Sequence, residues 1–184
     1  GKMVAVIDSQ VSKSYDAVME IGPMFSPDSN RTAYIALSEG KMMAVIDGKE
    51  RKPYDDIMEG NTIFSPNSRR TAYAAWIGEK VLAVVDGRED KLYDGIGAGG
   101  IVFSPDSMLV AYAARLADKH FVVINGKAGK GYDVVFTTNG GRIVFDYPDN
   151  KIWNGASPKY RLHYIAQAGN SIYLIEEIIK PVKP

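Results

Sequence analysis

Four Tyr-Asp pairs are the residues of this sequence whose type and spacing could most readily do chemistry. They stand at 15–16, 54–55, 93–94 and 132–133, each 39 residues after the last. Carboxylates brought together from a repeated position could hold a cation or act as general acid and base. Because all four recur with one period, we interpret them as parts of a repeated structure, in which each aspartate bonds backbone groups or a neighbouring repeat.

A literal dinucleotide-binding pattern, Gly95-x-Gly97-x-x-Gly100, follows the third Tyr-Asp pair. In that motif the glycines lead into a helix whose N-terminus binds the pyrophosphate. Here the next residues, Ile101-Val102-Phe103, are typical of a strand, so the required helix is not predicted. We therefore predict no cofactor and interpret the glycines as a flexible loop between repeats.

The remaining reactive side chains form no recognisable catalytic set. His120 and His163 fall at different strand positions of the repeat, too far apart to predict a metal pair. The chain has no cysteine, which excludes disulfides, thiolate metal ligands and cysteine nucleophiles. It also lacks the Gly-x-Ser-x-Gly nucleophile elbow. The sequence thus predicts no enzyme, no cofactor and no metal site.

The elements that must position these residues are short strands joined by tight turns. Phe-Ser-Pro-x-Ser starts at residues 25, 64 and 103, and the aspartate of a later turn stands at 8, 47 and 86, with Asn125 in the fourth place. Asp-Gly at such a turn favours a type I′ hairpin. Four short strands fill each repeat and leave no room for a helix. The predicted fold is therefore all-β: a β-propeller of four-stranded antiparallel blades with a 39-residue repeat, in about four to five blades.

We predict one propeller domain over residues 1–184. Its predicted parts are a partial blade 2–20, blades 21–59, 60–98 and 99–136, a divergent terminal blade 137–176 and a tail 177–184. In the terminal blade an insertion, 147–159, replaces the serine-proline turn and is either a covering flap or a binding loop. The termini could close a ring together or leave an open array, whose unpaired edges favour self-association.

The repeat resembles a known family. Phe-Ser-Pro-Asp-Ser-x-x-x-Ala-Tyr, followed by Val-Val-Asp-Gly, resembles the WD-like repeat of TolB-type β-propellers. The resemblance covers residues 2–136 well and 137–176 loosely. It implies a bacterial propeller that serves as a platform for protein interactions. The Trp-Asp pair and the Gly-His of true WD repeats are absent.

Charge balance and hydropathy argue against nucleic acid and membrane as partners. Lysine plus arginine (22) balances aspartate plus glutamate (22), so the chain lacks the basic excess expected of a nucleic-acid binder. No apolar run approaches the roughly 18 residues of a membrane span, so we predict no membrane insertion. The chain begins at Gly1-Lys2 without a leader, and we favour a periplasmic or secreted protein whose leader is absent here over a cytoplasmic one.

Positions that differ between repeats are the candidates for binding, because the recurring residues serve the fold. Trp76 and Arg115 are of the types that anchor interfaces. The other candidate partner-binding residues are Glu39, Glu59, Glu79, Asp118 and Trp153. The leading hypothesis is a non-enzymatic scaffold that binds a protein or peptide through loops on one face. Two alternatives remain: a propeller that binds a small molecule or performs hydrolase-type chemistry at the channel mouth, and a structural module of a larger or oligomeric propeller.

Overall fold

A computed structural model describes residues 1–20, 22–58, 63–138, 141–146 and 160–179. Throughout these residues the chain is all-β, with no helix and with antiparallel pairing between strands. The predicted all-β class is therefore confirmed. Contacts divide the chain into two compact units, residues 1–94 (unit 1) and 95–184 (unit 2). The predicted insertion 147–159, with Trp153, lies outside the described residues, as does Glu59.

Unit 1 contains three sheets. Sheet 1 is a hairpin of β1 (Val6–Ile7) and β2 (Gln10–Val11). In sheets 2 and 3, two short strands pair with one edge of a first long strand. The other edge of that strand pairs with a second long strand, and the second long strand pairs with a short outer strand. Sheet 2 contains β3 (Ala17–Val18), β4 (Met24–Phe25), β5 (Thr32–Ser38), β6 (Lys41–Ile46) and β7 (Lys49–Glu50), and sheet 3 contains β8 (Asp56–Ile57), β9 (Ile63–Phe64), β10 (Thr71–Ile77), β11 (Lys80–Val85) and β12 (Arg88–Glu89).

Unit 2 contains two sheets that depart from this plan. In sheet 4 the first strand is continuous, and its strands are β13 (Gly95–Phe103), β14 (Val110–Leu116), β15 (Lys119–Ile124) and β16 (Lys127–Ala128). In sheet 5 the two long strands are extended, and its strands are β17 (Val134–Val135), β18 (Val144–Phe145), β19 (Tyr160–Ala168) and β20 (Ser171–Ile179). No described residue forms a short outer strand on β20.

Sheets 2 to 5 each take their first strand from the residues directly after a Tyr-Asp pair. Tyr54 forms a bridge with Met42 of sheet 2, whereas Ile57 pairs with Ala75 of sheet 3. The chain therefore passes from one sheet to the next at Asp55. The sheets begin at residues 17, 56, 95 and 134, whereas the sequence places blade boundaries at 21, 60, 99 and 137. The predicted boundaries at 21, 60 and 137 fall between the two short pieces that pair with a first long strand, and the boundary at 99 falls within β13.

The predicted type I′ hairpins are confirmed at the Asp-Gly turns. Asp47 and Gly48 have φ angles of 52° and 71°, as both central residues of such a turn require. The Asp47 carboxylate also accepts hydrogen bonds from the Thr32 amide (3.1 Å) and from Arg31 Nε (2.9 Å). These bonds join the start of β5 to the end of β6. In sheet 4 the Asn125 side-chain oxygen accepts the equivalent bond from the Val110 amide at 2.9 Å.

The serine-proline turns are organised by buried hydroxyl groups. Ser65 is completely buried, and its Oγ accepts a hydrogen bond from the Arg70 amide (2.9 Å) and donates one to Asn67 Oδ1 (2.8 Å). Ser68 closes the turn with a φ of 63°, and its Oγ accepts a bond from the Asp28 amide in the preceding turn (3.0 Å). These turns therefore close their own strands and also link sheets 2 and 3.

Within each unit, neighbouring sheets pack face to face by one rule: the tyrosine face of a sheet packs on the opposite face of the sheet before it. The tyrosine face of a sheet carries the tyrosine of its first long strand, and the opposite face carries the alternate residues. In unit 1, the tyrosine face of sheet 3 packs on the opposite face of sheet 2 in one buried cluster, whose members include Tyr73, Ala75, Leu82 and Val84 on one side and Ala33, Ile35, Ala44 and Ile46 on the other. Tyr73 also meets the Tyr54 ring edge-on, with 6.2 Å between centroids.

Unit 2 follows the same rule. Leu162, Tyr164 and Ala166 of sheet 5 share a buried cluster with Ala111 and Ala113 of sheet 4. The ring of Tyr164 also meets that of Tyr132 edge-on at 6.1 Å. The small alanines let two sheets approach closely, and Tyr73, Tyr112 and Tyr164 are the largest of the fully buried side chains.

Candidate functional site

The hairpin ends, the turns that join the two long strands of each sheet, are held in place by the aspartates of the Tyr-Asp pairs. In unit 1, Asp16 Oδ2 accepts a hydrogen bond from the Glu39 amide (2.8 Å), and Asp55 Oδ2 accepts one from the Gly78 amide (2.6 Å). Lys41, which starts β6, pairs with the other oxygen of Asp55. Because Asp55 contacts both hairpins, it fixes the hairpin end of sheet 2 beside that of sheet 3.

Unit 2 repeats this arrangement. Asp133 Oδ2 accepts a hydrogen bond from the Gly169 amide at 2.6 Å, and Asp133 Oδ1 accepts one from Lys119 Nζ at 2.6 Å. The aspartate thus joins the β14–β15 hairpin to the β19–β20 hairpin. In unit 1, Asp94 pairs in the same way with Lys80.

These contacts give the repeated carboxylates a structural role. The pKa of Asp55 lies below its ordinary value because the Gly78 amide and the Lys41 ammonium both bond the ionised form. The pKa of Asp133 is lowered for the same reason, by Lys119 first and by the Gly169 amide second. Within the described parts of the chain, no group of three or more His, Cys, Asp or Glu residues is placed to hold a metal ion.

One strand position beside the hairpin ends carries a different side chain in every sheet. Its occupants are Leu37, Trp76, Arg115 and Gln167, and each is the next-to-last residue of β5, β10, β14 or β19. The same register relates them, because their partners on the second long strand are Met42, Val81, His120 and Ile172. Trp76 and Arg115 were predicted as partner-binding residues, and the structure shows that they occupy equivalent positions of two different sheets.

Trp76 lies beside exposed carboxylates. It is partly buried on β10, directly across from Asp56 of β8. Asp56 and Glu79 are both exposed. Tryptophan beside carboxylates offers an apolar surface with a negative rim, a combination that suits a cationic or amide-rich side chain. The sequence did not single out Asp56, because only strand pairing places it next to Trp76.

Arg115 is exposed at the equivalent position of sheet 4. Its Nη1 donates a hydrogen bond to the Ala117 carbonyl at 3.3 Å. A Cβ added to Gly95 would lie 3.7 Å from Arg115 Nε, so the guanidinium passes over the bare backbone of its strand partner. On the other side Arg115 pairs with His120, whose Nδ1 lies 2.8 Å from the Asp133 carbonyl oxygen.

The other described candidates also lie at hairpin ends. Glu39 and Glu79 are exposed in neighbouring hairpins of unit 1, and Asp118 is exposed in unit 2. The structure therefore places Glu39, Trp76 and Glu79 in the two hairpins that Asp55 joins. It places Arg115 and Asp118 together in one hairpin of sheet 4.

The glycine pattern is wrong as a flexible loop between repeats. Residues 95–103 form the single strand β13, whose register shifts between Ile96 and Ile101. The strand predicted after Gly100 is confirmed, and it stands where the dinucleotide motif needs a helix. Gly97 is required by close packing, since a Cβ there would meet Thr137 Oγ1 at 2.8 Å.

The two histidines lie in strands, as predicted, His120 in β15 and His163 in β19. His163 Nδ1 stands 3.1 Å from Asp146 Oδ1. Each therefore has a local partner within its own sheet.

Unit 1 also has a cleft of about 660 Å³ between sheet 1 and the outer part of sheet 2. Its polar walls are engaged with one another: Lys13 and Glu50 form an ion pair at 2.7 Å. Burial first, and then hydrogen bonds to Tyr34 and Glu50, raise the pKa of Tyr15 well above its ordinary value, so this phenol stays neutral. Within the residues that the structure covers, we find no helix with the length and apolar character needed to cross a membrane.

Comparison with known proteins leaves the family open. No family model matches the sequence, and no curated protein does. A Bacteroides uniformis structure provisionally named a 6-phosphogluconolactonase is 14% identical, covers 96% of this chain and 64% of its own, and has a TM-score of 0.34. A structure named as the eukaryotic initiation factor is 11% identical, covers 96% and 51%, and has a TM-score of 0.39. The chain thus spans about half to two thirds of the length of either structure, and at these TM-scores neither bears on its function.

Proposed function

We propose that this chain is a β-propeller of WD-like repeats of the TolB type, and that it is a non-enzymatic scaffold that binds a protein or peptide through its hairpin ends. The observation that carries the proposal is the strand position of Leu37, Trp76, Arg115 and Gln167. Its backbone setting is constant, whereas its side chain changes completely from sheet to sheet.

The contrast between fixed and variable residues supports a binding role. The Asp16, Asp55 and Asp133 carboxylates fix the hairpins by bonding backbone amides. A partner can distinguish the sheets only by the side chains that differ between equivalent positions. Rigid strand ends hold those side chains in fixed places. The face-to-face packing of consecutive sheets, tyrosine face on opposite face, supports the propeller arrangement.

The chemistry of the variable positions supports a protein or peptide rather than a reaction. Tryptophan and arginine dominate the residues whose truncation weakens interfaces most. The repeated carboxylates, which would be the natural catalysts, already bond amides and lysines. They therefore act as supports for the surface that meets the partner.

Peptide selection tests the proposal directly. A displayed random-peptide library is selected on the immobilised full chain, and the dissociation constant of each enriched peptide is then measured. Trp76→Ala or Arg115→Ala should weaken binding at least about tenfold, as expected when an interface anchor is removed. The two variants are measured separately, because Trp76 belongs to unit 1 and Arg115 to unit 2.

Lys127→Ala provides the matched control, since Lys127 is exposed on the outer strand β16, away from the variable position. Peptides whose affinity survives both Trp76→Ala and Arg115→Ala but drops with Lys127→Ala would place binding elsewhere and refute the hairpin-end proposal.

A further inference from the structure

Sheet 5 leaves its opposite face open to solvent. On β20 the alternate residues Ile172, Leu174 and Ile178 are 68%, 65% and 65% exposed, and Ile165 on β19, the strand partner of Leu174, is 36% exposed. The equivalent face of sheet 2 is buried, with Ala44 fully covered by sheet 3. Ile165, Ile172 and Leu174 are neighbours on this face, whereas Ile178 is bordered by the exposed Glu176 and Arg161. Contiguous exposed apolar side chains of this kind mark interaction sites.

Sheet 1 leaves a face of the other type open. Val4, Val6 and Val11 are 45%, 60% and 64% exposed, and Val6 is the strand partner of Val11. In sheet 2 the residues 39 positions after Val4 and Val6 are Met43 and Val45, which belong to the tyrosine face. We call Val4, Val6 and Val11 the valine face.

The chain itself shows what covers each kind of face. In the described contacts within each unit, a tyrosine face packs on the opposite face of the preceding sheet: sheet 2 on Ala5 of sheet 1, sheet 3 on sheet 2, and sheet 5 on sheet 4. An opposite face is therefore the kind of surface on which a tyrosine-type face packs in this chain. Sheet 5 presents the first kind and sheet 1 presents the second.

We propose that copies of this chain associate head to tail, with the opposite face of sheet 5 in one copy packed on the valine face of sheet 1 in the next. The contact is heterologous, because two different surfaces meet, so association continues to a closed ring or a longer array. Burial of branched aliphatic side chains from both faces drives it. The proposal does not rest on the hairpin-end binding site: Trp76 and Arg115 belong to sheets 3 and 4, and of the four residues at that strand position Gln167 shares the sheet 5 face, as the strand partner of Ile172.

Sedimentation of the full chain over a wide concentration range tests the proposal. The wild-type chain should form species of at least twice the mass of one copy. Leu174→Asp and Val6→Asp should each weaken self-association at least about tenfold, since each places a charge inside the contact. Met108→Asp is the matched control: Met108 is 67% exposed on a turn of sheet 4, on neither face, and the variant should associate like wild type. Melting curves establish that every variant is folded.

Mixing the two variants gives the decisive result. The Leu174→Asp copy keeps its valine face and the Val6→Asp copy keeps its sheet 5 face, so the mixture should form a dimer of one copy of each and stop there. A monomeric wild-type chain would overturn the proposal. So would self-association of the Val6→Asp variant alone, because that result requires sheet 5 to pack on sheet 5.

Discussion

Units 1 and 2 share the bond from a Tyr-Asp aspartate to a hairpin amide, which we call the staple, and the edge-on tyrosine contact. Sheet 4 also keeps the buried-serine turn of unit 1, but other turn contacts differ between the units. In unit 1, Arg31 bonds Asp47 and Arg70 bonds Asp86 in the same geometry one repeat apart. In unit 2 the turn of sheet 4 uses Asn125, and the described part of sheet 5 has neither a serine-proline turn nor a short outer strand.

The features common to both units are therefore the ones that the architecture needs. Tyr54 on Tyr73 in unit 1 corresponds to Tyr132 on Tyr164 in unit 2, and Asp55 corresponds to Asp133. The arginine–aspartate pairs can be replaced by an asparagine, because the essential bond is the one from the turn to a backbone amide. Unit 2 has fewer of these additional turn contacts, so variants in unit 2 best test how much the shared contacts contribute to stability.

The largest effect is expected from Tyr164→Ala. Tyr164 is completely buried in the contact between sheets 4 and 5, and its hydroxyl bonds Glu177 at 2.7 Å. Truncation should cost about 3–5 kcal/mol of unfolding free energy, as for other buried aromatic residues. Tyr173→Ala on the same sheet is the control, because Tyr173 is half-exposed and should lose about 1 kcal/mol or less. Denaturant unfolding measures both, and similar losses would show that burial of Tyr164 against sheet 4 is not what makes it important, since Tyr173 lies on the same face as the strand partner of Ala166.

Gly97→Ala should have the next largest effect. A Cβ at Gly97 would meet Thr137 Oγ1 at 2.8 Å and Ala113 Cβ at 3.2 Å, so overpacking should cost about 1–3 kcal/mol. Gly95→Ala tests the same substitution where the nearest atom is 3.7 Å away, and it should be nearly neutral. Adding Thr137→Ala to Gly97→Ala should restore part of the loss. If the two glycine variants unfold at the same denaturant concentration, β13 does not approach Thr137 as described.

Asp133→Ala should destabilise unit 2 by less, because the side chains of Asp133 and its partner Lys119 are 42% and 48% exposed, so solvent screens their attraction. The expected result is a melting temperature lowered by a few degrees, together with faster hydrogen exchange of the Gly169 amide, which loses its acceptor. Asp118→Ala, which removes an exposed carboxylate from the same hairpin, should change neither quantity. Unchanged exchange at Gly169 in the Asp133→Ala variant would contradict the staple.

The smallest effect is expected from acid. The pKa values of Asp16, Asp55 and Asp133 lie below the ordinary 3.8 in the folded chain, because lysines and backbone amides bond the ionised form. The pKa of Asp28 is lowered to about 2, chiefly by the Ser26 hydroxyl. A lowered folded pKa means that the unfolded chain binds protons first, so this stability is complete above pH 3.8 and is lost as the pH falls below it.

Urea unfolding on both sides of pH 3.8 measures this dependence. A variant that combines Asp55→Asn with Asp133→Asn should lose less stability on acidification than the wild-type chain does. Equal losses in the two proteins would remove the staple carboxylates as the cause.

Much of the fold can be predicted from local pattern. The Asp47-Gly48 turn and the short strands between turns depend on a few neighbouring residues, and the structure confirms both the turn and the all-β class predicted from them. The sheets begin a few residues before the blade boundaries that the sequence suggests, because Tyr54 and Ile57 pair with different sheets although only two residues separate them. The residues next to a strand residue in sequence do not indicate which distant strand it pairs with.

The candidate site divides in the same way. Trp76 and Arg115 stood out in the sequence as unlike their counterparts in other repeats, but Asp56 beside Trp76 and His120 beside Arg115 emerge only from strand register. Gly-rich sequence favours turns and so predicts a loop at 95–100, whereas pairing with β14 on both sides of the register shift makes these residues part of strand β13.

By itself, then, the sequence determined the strands, their turns and the all-β class, because backbone propensity and side-chain alternation act over a few residues. Tertiary structure alone decided that Asp55 and Asp133 hold the hairpin ends, and that sheet 5 leaves Ile172 and Leu174 exposed where sheet 2 buries Ala44. Both outcomes depend on which surface a neighbouring sheet covers, and coverage is a property of residues far apart in the chain.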